Sequence, residues 1–122
     1  MSGQSSRLLG RWGEEIAADC LRRKGYRLVA ANWRCRFGEV DLIAADRQYL
    51  CFVEVKLRKN GGFGGAGAAV TATKQAKLRA TAQLYLAQNP TRLQPRFDVI
   101  EVYAPQGTDT PRPTVRHLEN AF

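Results

Sequence analysis

The sequence predicts an α/β fold in which helices flank one sheet, an antiparallel meander extended by a strand that follows a crossover helix. Three observations predict it. An apolar pattern of helical period opens the chain, three short segments of alternating character follow, and a second helical segment precedes one further strand. The chain has 122 residues, 44% of them hydrophobic and 25% charged. We therefore expect a single domain spanning residues 1–122.

The first helix is predicted over residues 7–24. Ser5 and Ser6 are favourable N-caps, and Gly25 is a favourable residue just beyond the C-terminus. Apolar side chains recur at the helical period, at Leu8, Leu9, Trp12, Ile16, Cys20 and Leu21. The segment is therefore expected to bury one face.

A row of small residues runs beside that apolar stripe, formed by Gly10, Gly13 and Ala17. Each glycine costs a helix about 1 kcal/mol relative to alanine, so we expect a neighbouring element to approach this row closely. Glu14 adjoins it. Its carboxylate is therefore expected where the helix comes nearest to the rest of the protein.

The remaining elements follow from alternation and from the turn residues between them. Strands are predicted over residues 26–33, 39–45, 49–57 and 96–103, with a second helix over 70–88 and a short edge strand over 114–118. The connections are a basic turn at 34–38, a tight loop at 46–48, a glycine-rich flap at 60–69 and a loop at 104–113. Pro90 and Pro95 are expected to end the second helix.

Nineteen lysine and arginine residues against eleven aspartate and glutamate residues give a net charge of +8. An excess of this size on a small body favours a polyanionic partner, most simply nucleic acid. Two alternatives stay open: basic residues that only maintain solubility, and an anionic membrane surface, which is disfavoured because no helix carries an aromatic insertion face. No apolar run approaches the roughly 20 residues that cross a bilayer, so we expect a soluble protein.

Three cysteines, Cys20, Cys35 and Cys51, and a single histidine, His117, limit the chemistry. The cysteines lack zinc-site spacing, and their odd number does not suit a disulfide framework. Free thiols are typical of a reducing compartment, which predicts a cytoplasmic protein. The one histidine is expected at the surface, and mechanisms that need a histidine base are disfavoured. Carboxylates and lysine are left to carry any chemistry.

The hairpin formed by the second and third strands places two carboxylates face to face. A two-residue turn at residues 47–48, the commonest hairpin connection, pairs positions whose numbers add to 95, so Asp41 lies opposite Glu54. Alternation puts Val40 and Leu42 together on the other face. Cross-strand neighbours have Cβ atoms about 5 Å apart, and like charges there destabilise the pair.

A divalent cation between Asp41 and Glu54 would remove this repulsion. Mg²⁺ is bound by one or two protein carboxylates together with waters and phosphate oxygens, and the carbonyl of Val55 offers a further oxygen. Lys56 is expected to orient an attacking water or to neutralise charge on a phosphate. The alternative is a structural ion pair of Asp41 or Glu54 with Lys56.

Basic residues flank this hairpin in the sequence and are predicted to form a groove that follows a phosphate backbone. The predicted nucleic-acid-binding residues are Arg34, Arg36, Arg58, Lys59, Lys74 and Lys77. For each of them singly, a solvated surface position is an equally good interpretation. Trp33 and Phe63 are candidates for stacking on bases, although tryptophan at a strand end is more often a core residue.

The order of these motifs resembles a known family. Asp41, followed by Glu54-Val55-Lys56, resembles the PD-(D/E)xK nuclease signature. Over nearly the whole chain the pattern resembles the bacterial YraN family of endonuclease-like proteins, which is similar to archaeal Holliday-junction resolvases. The matching stretches are Gly10-x-x-Gly13-Glu14 with Ala17 and Leu21, residues 32–36, 38–44 and 52–56, Lys74-Gln75, and residues 96–99 and 120–122.

The resemblance implies a restriction-endonuclease-like αβββαβ core with a mixed central sheet. It implies a metal-dependent nuclease that hydrolyses DNA, including branched or structured DNA, with Mg²⁺ or Mn²⁺ held by Asp41, Glu54 and Val55. The implied catalytic residues are Glu14, Asp41, Glu54, Lys56 and Gln75, with Lys74 as the alternative to Gln75 on the second helix.

Two positions depart from the usual motif. Val40 precedes Asp41 where many such nucleases have proline, and Leu57 replaces a small hydroxyl residue, which removes one contact to phosphate. Two other functions remain open: a nucleic-acid-binding module that does not cleave, and a basic protein-interaction domain. A resolvase-like role would require two sites and hence a homodimer, and residues 120–122 are expected either to dock back on the domain or to join a dimer interface.

Overall fold

The computed structural model describes residues 6–59 and 70–122, which form two helices and one five-stranded sheet. The helices are α1 (Ser6–Arg23) and α2 (Ala72–Gln88), and the strands are β1 (Arg27–Cys35), β2 (Gly38–Ala45), β3 (Tyr49–Arg58), β4 (Gln94–Tyr103) and β5 (Thr114–Leu118), with a 3-10 turn at Gly107–Asp109. This order of elements confirms the prediction. Ser5 and the glycine-rich loop at 60–69, with Phe63, lie outside the described residues.

The strands lie in the order β1-β2-β3-β4-β5. Neighbouring strands are antiparallel except β3 and β4, which run parallel. A parallel pair needs a crossover connection, and α2 lies in the segment that joins those two strands. The predicted α/β class with a mixed sheet and an αβββαβ core is confirmed. Neither helix in this part of the chain is long and apolar enough to cross a membrane.

Each face of the sheet carries its own hydrophobic cluster. Leu21 of α1 is buried in one cluster with Val53 and Ile100 of the sheet. On the other face α2 buries a stripe at positions i, i+3, i+4 and i+7, formed by Leu78, Thr81, Ala82 and Tyr85. The ring of Trp33 packs edge-to-face on Tyr85 with centroids 5.2 Å apart. Trp33 is therefore a core residue, not a surface for stacking on bases.

One turn is shorter and one helix begins later than the sequence predicts. The β1–β2 turn comprises residues 36–37 only, because strand pairing continues on both sides of it. Helix α2 begins at Ala72, two residues later than predicted. Thr71 caps it, since its hydroxyl oxygen accepts the N–H of Lys74 at 3.1 Å.

Strand β4 begins two residues earlier than predicted and includes Pro95. The N–H of Gln94 donates to the carbonyl of Gln48 at 2.9 Å, which extends the ladder to this point. Proline has no N–H but is tolerated near the first residue of a strand. The expectation that Pro95 only ends the preceding helix is wrong, because α2 has already ended at Gln88.

A close approach accounts for one of the two helix glycines. A Cβ added at Gly13 would lie 2.8 Å from Cδ2 of Leu57, whereas a Cβ at Gly10 would meet nothing within 4 Å. The expected close packing is right for Gly13 and wrong for Gly10. Its consequence is that Leu57 points toward α1.

A buried network of charges joins β4 to β5. Arg96 donates two hydrogen bonds to Asp98, at 2.9 and 2.8 Å, and Nε2 of His117 lies 2.8 Å from Oδ2 of the same carboxylate. Lys24 Nζ, which only donates, lies 2.8 Å from His117 Nδ1, so Nε2 carries the proton and donates to Asp98. The expectation that His117 is a surface residue is wrong: its side chain is 3% exposed, and both ring nitrogens have partners, Asp98 within the fold and Lys24 at the surface.

The last three residues dock back on the domain. The N–H of Asn120 donates to Asp98 at 3.0 Å, and the N–H of Ala121 donates to the Phe97 carbonyl at 2.7 Å. The Phe122 ring stacks on Phe97 with centroids 5.2 Å apart. Of the two alternatives for this segment, the structure has the intramolecular one.

Candidate active site

The β2–β3 hairpin has the predicted register. Leu42 pairs with Val53, and the pairs closer to the turn keep the same sum of 95. The N–H of Asp46 donates to the carbonyl of Tyr49 at 3.1 Å, which closes a two-residue turn. Asp41 and Glu54 are the next positions beyond the last paired residues.

At Asp41 the regular ladder stops. Instead of a backbone partner, the N–H of Val55 has the carboxylate of Asp41 as its acceptor, at 2.8 Å. Val40 belongs to the cluster under α2 and Leu42 to the cluster under α1. The expectation that these two residues share a face is wrong.

The physical reason is that the neighbouring strand β1 is also irregular at this point. Asn32, which stands between the paired positions Ala31 and Trp33, has φ of 52°. A residue in the left-handed region interrupts the period-2 alternation of a strand, and the paired strand β2 changes face at the same point. The break turns the Asp41 side chain toward β3.

Glu54 is a carboxylate withdrawn from water and bound by two ammonium groups. It is 4% exposed. Nζ of Lys74 on α2 lies 2.6 Å from its Oε2, and Nζ of Lys56 lies 3.6 Å from the same oxygen. The predicted neighbour Lys56 is thus present, but the shorter contact comes from α2.

Asp41 and Glu54 line one cleft of about 370 Å³ between β2, β3 and the start of α2. Lys74 and Lys77 line the same cleft. Its walls also include Gly38, Glu39, Thr71, Thr73 and Leu78. The two predicted carboxylates therefore face a common space together with two predicted phosphate-binding lysines.

The electrostatics of this cleft are those of crowded carboxylates. Burial, with the nearby charge of Glu54, raises the pKa of Asp41 to about 7, although the hydrogen bond from Val55 opposes the shift. The hydrogen bond to Glu54 raises the pKa of Lys74. At neutral pH the carboxyl of Asp41 is therefore only partly ionised, and an added cation would stabilise its charged form.

Glu14 lies at the border of this site rather than inside the cleft. Its Oε1 accepts a hydrogen bond from Nδ2 of Asn32 at 3.1 Å, and it lines a neighbouring groove of about 420 Å³ between α1 and β1. Burial raises the pKa of Glu14, and the charges of Glu39 and Glu54 raise it further. Glu14 and the cleft carboxylates thus interact electrostatically.

Gln75 is not brought to the cleft. Its side-chain amide donates to the carbonyl of Val70 at 3.0 Å, where it supports the entry into α2. Of the two positions that the family resemblance offers on this helix, Lys74 is the one that contacts Glu54.

The other predicted nucleic-acid-binding residues differ in their partners. Nε of Arg34 lies 2.9 Å from Glu39, and the guanidinium of Arg36 lies 4.7 Å from the centroid of the Phe37 ring. Arg58 is engaged with the buried carboxylate of Glu101 at 3.3 Å. Lys59 is exposed. Lys77 and Lys74 are the members of the set that line the cleft.

The carboxylate pair suits a hard divalent ion that keeps several waters. Within the described residues no three histidine, cysteine or acidic side chains converge as a metal-binding group. Mg²⁺ is typically held by only one or two carboxylates. The Asp41–Glu54 pair fits such an ion, provided that the ammonium of Lys74 moves away from Glu54.

Sequence reasoning missed Glu39 and Thr71 as residues of the cleft. The signal for Thr71 was available, because threonine three residues before Lys74 is a typical N-cap spacing. Glu39 also had a signal, because regular alternation places it on the same strand face as Asp41, two residues later. Leu57, where the family motif has a hydroxyl residue, packs in the cluster under α1 and so lies away from the cleft.

Comparisons with known proteins find one family. A family model described as "Uncharacterised protein family UPF0102" matches residues 13–102. A UPF0102 protein of Nocardia farcinica is 50% identical over 115 residues, covering 93% of this chain and 88% of that protein. Those of Symbiobacterium thermophilum and Caldanaerobacter subterraneus are 48% and 42% identical, covering 96% and 100% of this chain and 98% and 100% of theirs.

Proposed function

This chain belongs to the uncharacterised UPF0102 family, the YraN family that its motifs resemble, and we propose that it is a metal-dependent nuclease that hydrolyses phosphodiester bonds in DNA. We propose Mg²⁺ or Mn²⁺ as its cofactor. The cytoplasm is the proposed compartment, because all three cysteines are free thiols.

One observation carries this proposal: two carboxylates from adjacent strands, Glu54 buried and Asp41 half-buried, meet at one cleft that is also lined by lysines. Asp41 and Glu54 have like charges, and burial penalises both. A purely structural role would be served better by one carboxylate, since the second only adds repulsion. A divalent ion and the phosphate it binds would satisfy both.

The proposed roles follow from the contacts. Asp41, Glu54 and the carbonyl of Val55 would hold the ion, which when bound polarises a phosphoryl oxygen and lowers the pKa of a water. Lys56, 25% exposed and 3.6 Å from Glu54, would neutralise charge that develops on the phosphate. Glu14, oriented by Asn32, would hold water at the border of the site.

The proposed path of the nucleic acid runs along α2 and the β1–β2 turn. Lys74 and Lys77 line the cleft, and Arg34 and Arg36 extend the positive charge to the turn. Arg58 is a weaker candidate because it neutralises the buried Glu101. Cleavage of branched DNA would need two such sites, which a homodimer would supply.

A second candidate is a nucleic-acid-binding module that does not cleave. The contact of 2.6 Å between Lys74 and Glu54 favours it, because an ammonium already neutralises the carboxylate without any ion. The third alternative, a basic protein-interaction domain, differs from both in its salt dependence.

A cleavage panel tests the proposal. Linear, nicked, flapped and four-way DNA are incubated with the protein and Mg²⁺ or Mn²⁺, and products are resolved on denaturing gels. We expect metal-dependent products from at least one substrate, and none from Glu54→Gln, which controls for contaminating nucleases. Equal cleavage by wild type and Glu54→Gln, or none on any substrate, would contradict the assignment.

Binding should depend steeply on salt. If phosphate contacts dominate, the logarithm of affinity falls with the logarithm of salt concentration by about 0.9 for each neutralised phosphate. Lys77→Ala should reduce this slope by about 1. Arg92→Ala is the matched control, since exposed Arg92 lies beyond the C-terminal end of α2, whereas the cleft lies at the first turns of that helix. An affinity for DNA that does not change with salt concentration would favour the protein-interaction domain.

A further inference from the structure

The ammonium of Lys74 occupies the place that a metal ion needs. It lies 2.6 Å from Oε2 of Glu54 and lines the cleft that Asp41 shares. An ion bound by Glu54 would have to lie beside the same carboxylate. Lys56 already lies 3.6 Å from the same oxygen, so a divalent ion would be the third cation at this carboxylate. The repulsion among them at this range favours the departure of one.

Lys74 is the group free to leave. Its side chain is 46% exposed, whereas that of Lys56 is 25% exposed. The lysine side chain is a flexible four-carbon stem that ends in a compact charge, and Lys74 lies on the first turn of α2, in the wall of the cleft. Lys77, one turn further, lines the same wall, so a displaced Lys74 would point where a phosphate passes.

We propose that Lys74 is an exchangeable counter-ion: it neutralises Glu54 in the metal-free protein, is released when a divalent cation binds, and then binds a phosphate of the nucleic acid. The inference rests on the proposed function for its metal and its nucleic acid. It adds that the two ligands bind with positive cooperativity and that one side chain carries the coupling. Reciprocity requires that nucleic acid raise the affinity for metal by the same factor.

The first arm of the test uses metal alone. Mn²⁺ binding is measured by calorimetry for wild type, Lys74→Ala, Lys74→Arg and Lys77→Ala, without nucleic acid. Because the competing charge is gone, Lys74→Ala should bind Mn²⁺ about tenfold more tightly, within the usual range of couplings of about 5–150-fold. Lys74→Arg keeps the charge and should retain weak binding. Lys77→Ala, which removes a charge from the cleft wall and not the ammonium on Glu54, should tighten binding less than Lys74→Ala.

The second arm uses a fluorescent 20-nucleotide oligonucleotide with phosphorothioate linkages, which resist hydrolysis. Its binding to the protein is measured by fluorescence anisotropy with and without Mn²⁺. Mn²⁺ should tighten wild-type binding about fivefold to tenfold. That effect should vanish in Lys74→Ala and persist in Lys77→Ala, although both bind more weakly overall. Melting in EDTA verifies that every variant is folded.

The outcomes separate this inference from the nuclease assignment. If Lys74→Ala binds Mn²⁺ no more tightly than wild type, or keeps the Mn²⁺ effect on the oligonucleotide, the exchange is wrong whether or not DNA is cleaved. If both arms behave as expected but the cleavage panel yields no product, the counter-ion exchange stands and the proposed catalysis fails. Absence of Mn²⁺ binding in all four proteins overturns both.

Discussion

Replacing Asp98 by asparagine should lower the free energy of unfolding by about 3–5 kcal/mol at neutral pH, because it breaks a buried ion pair and leaves one partner charged. Asp98 is 0% exposed. It accepts hydrogen bonds from Arg96, His117 and the N–H of Asn120. An amide in its place has one acceptor oxygen and turns a donor toward the guanidinium.

Urea titration and thermal melting measure this loss, which corresponds to roughly 10–20 °C in a domain of this size. Asp109→Asn is the control: Asp109 is exposed in the 3-10 turn, so its change should stay within about 0.5 kcal/mol. A loss below about 1 kcal/mol for Asp98→Asn would mean that the network does not hold β4, β5 and the C-terminus together.

The pH dependence of the wild type checks the same network. Burial alone would raise the pKa of Asp98, but hydrogen bonds from His117 and Arg96 outweigh it and lower the pKa to about 2. A carboxyl with a depressed folded-state pKa stabilises above its unfolded value near 3.9 and loses that contribution as pH falls toward 2. Wild type should lose about 2.5 kcal/mol of this contribution between about pH 5 and pH 1, and Asp98→Asn should not.

Asp41→Asn should have the opposite effect on the metal-free protein. In the wild type the folded-state pKa of Asp41 is about 7, above its unfolded value. The stability of wild type therefore falls as pH rises from about 4 to 7. The variant keeps an acceptor for the Val55 N–H and lacks the repulsion from Glu54. In EDTA at pH 8 it should be more stable than wild type by roughly 1–3 kcal/mol, and less so at pH 5.

The same substitution should abolish the response to metal. Wild type should gain RT ln(1 + [L]/Kd) on adding Mn²⁺, about 2.7 kcal/mol at a hundredfold excess over Kd. Asp41→Asn should lose most of that gain, and its rate of DNA cleavage should fall by roughly 10²–10³. Thermal melts of both proteins and of Asp109→Asn, in EDTA and in Mn²⁺, give the comparison. A variant that is destabilised in EDTA and indifferent to Mn²⁺ would instead identify Asp41 as half of a structural ion pair.

Local sequence patterns are sufficient to predict the helices and strands and the strand pairing of one hairpin. The helical period and the Gly25 signal predict α1 to within one residue at each end. Alternation and a two-residue turn predict the β2–β3 register, and that register places Asp41 and Glu54 at the next opposing positions. These predictions succeed because period, capping and turn geometry are properties of a few consecutive residues.

Side-chain partners across the fold needed the tertiary structure. Only the packing of α2 on the sheet decided that Lys74, and not Gln75, contacts Glu54. The side chain of His117 is buried because Asp98, 19 positions earlier in the chain, accepts a hydrogen bond from its Nε2–H. Val40 changed face because Asn32 on the neighbouring strand left the β region. The sequence by itself determined which residues can form each element and which carboxylates meet across one short turn, whereas contacts between elements depend on angles and small breaks in alternation that no local pattern encodes.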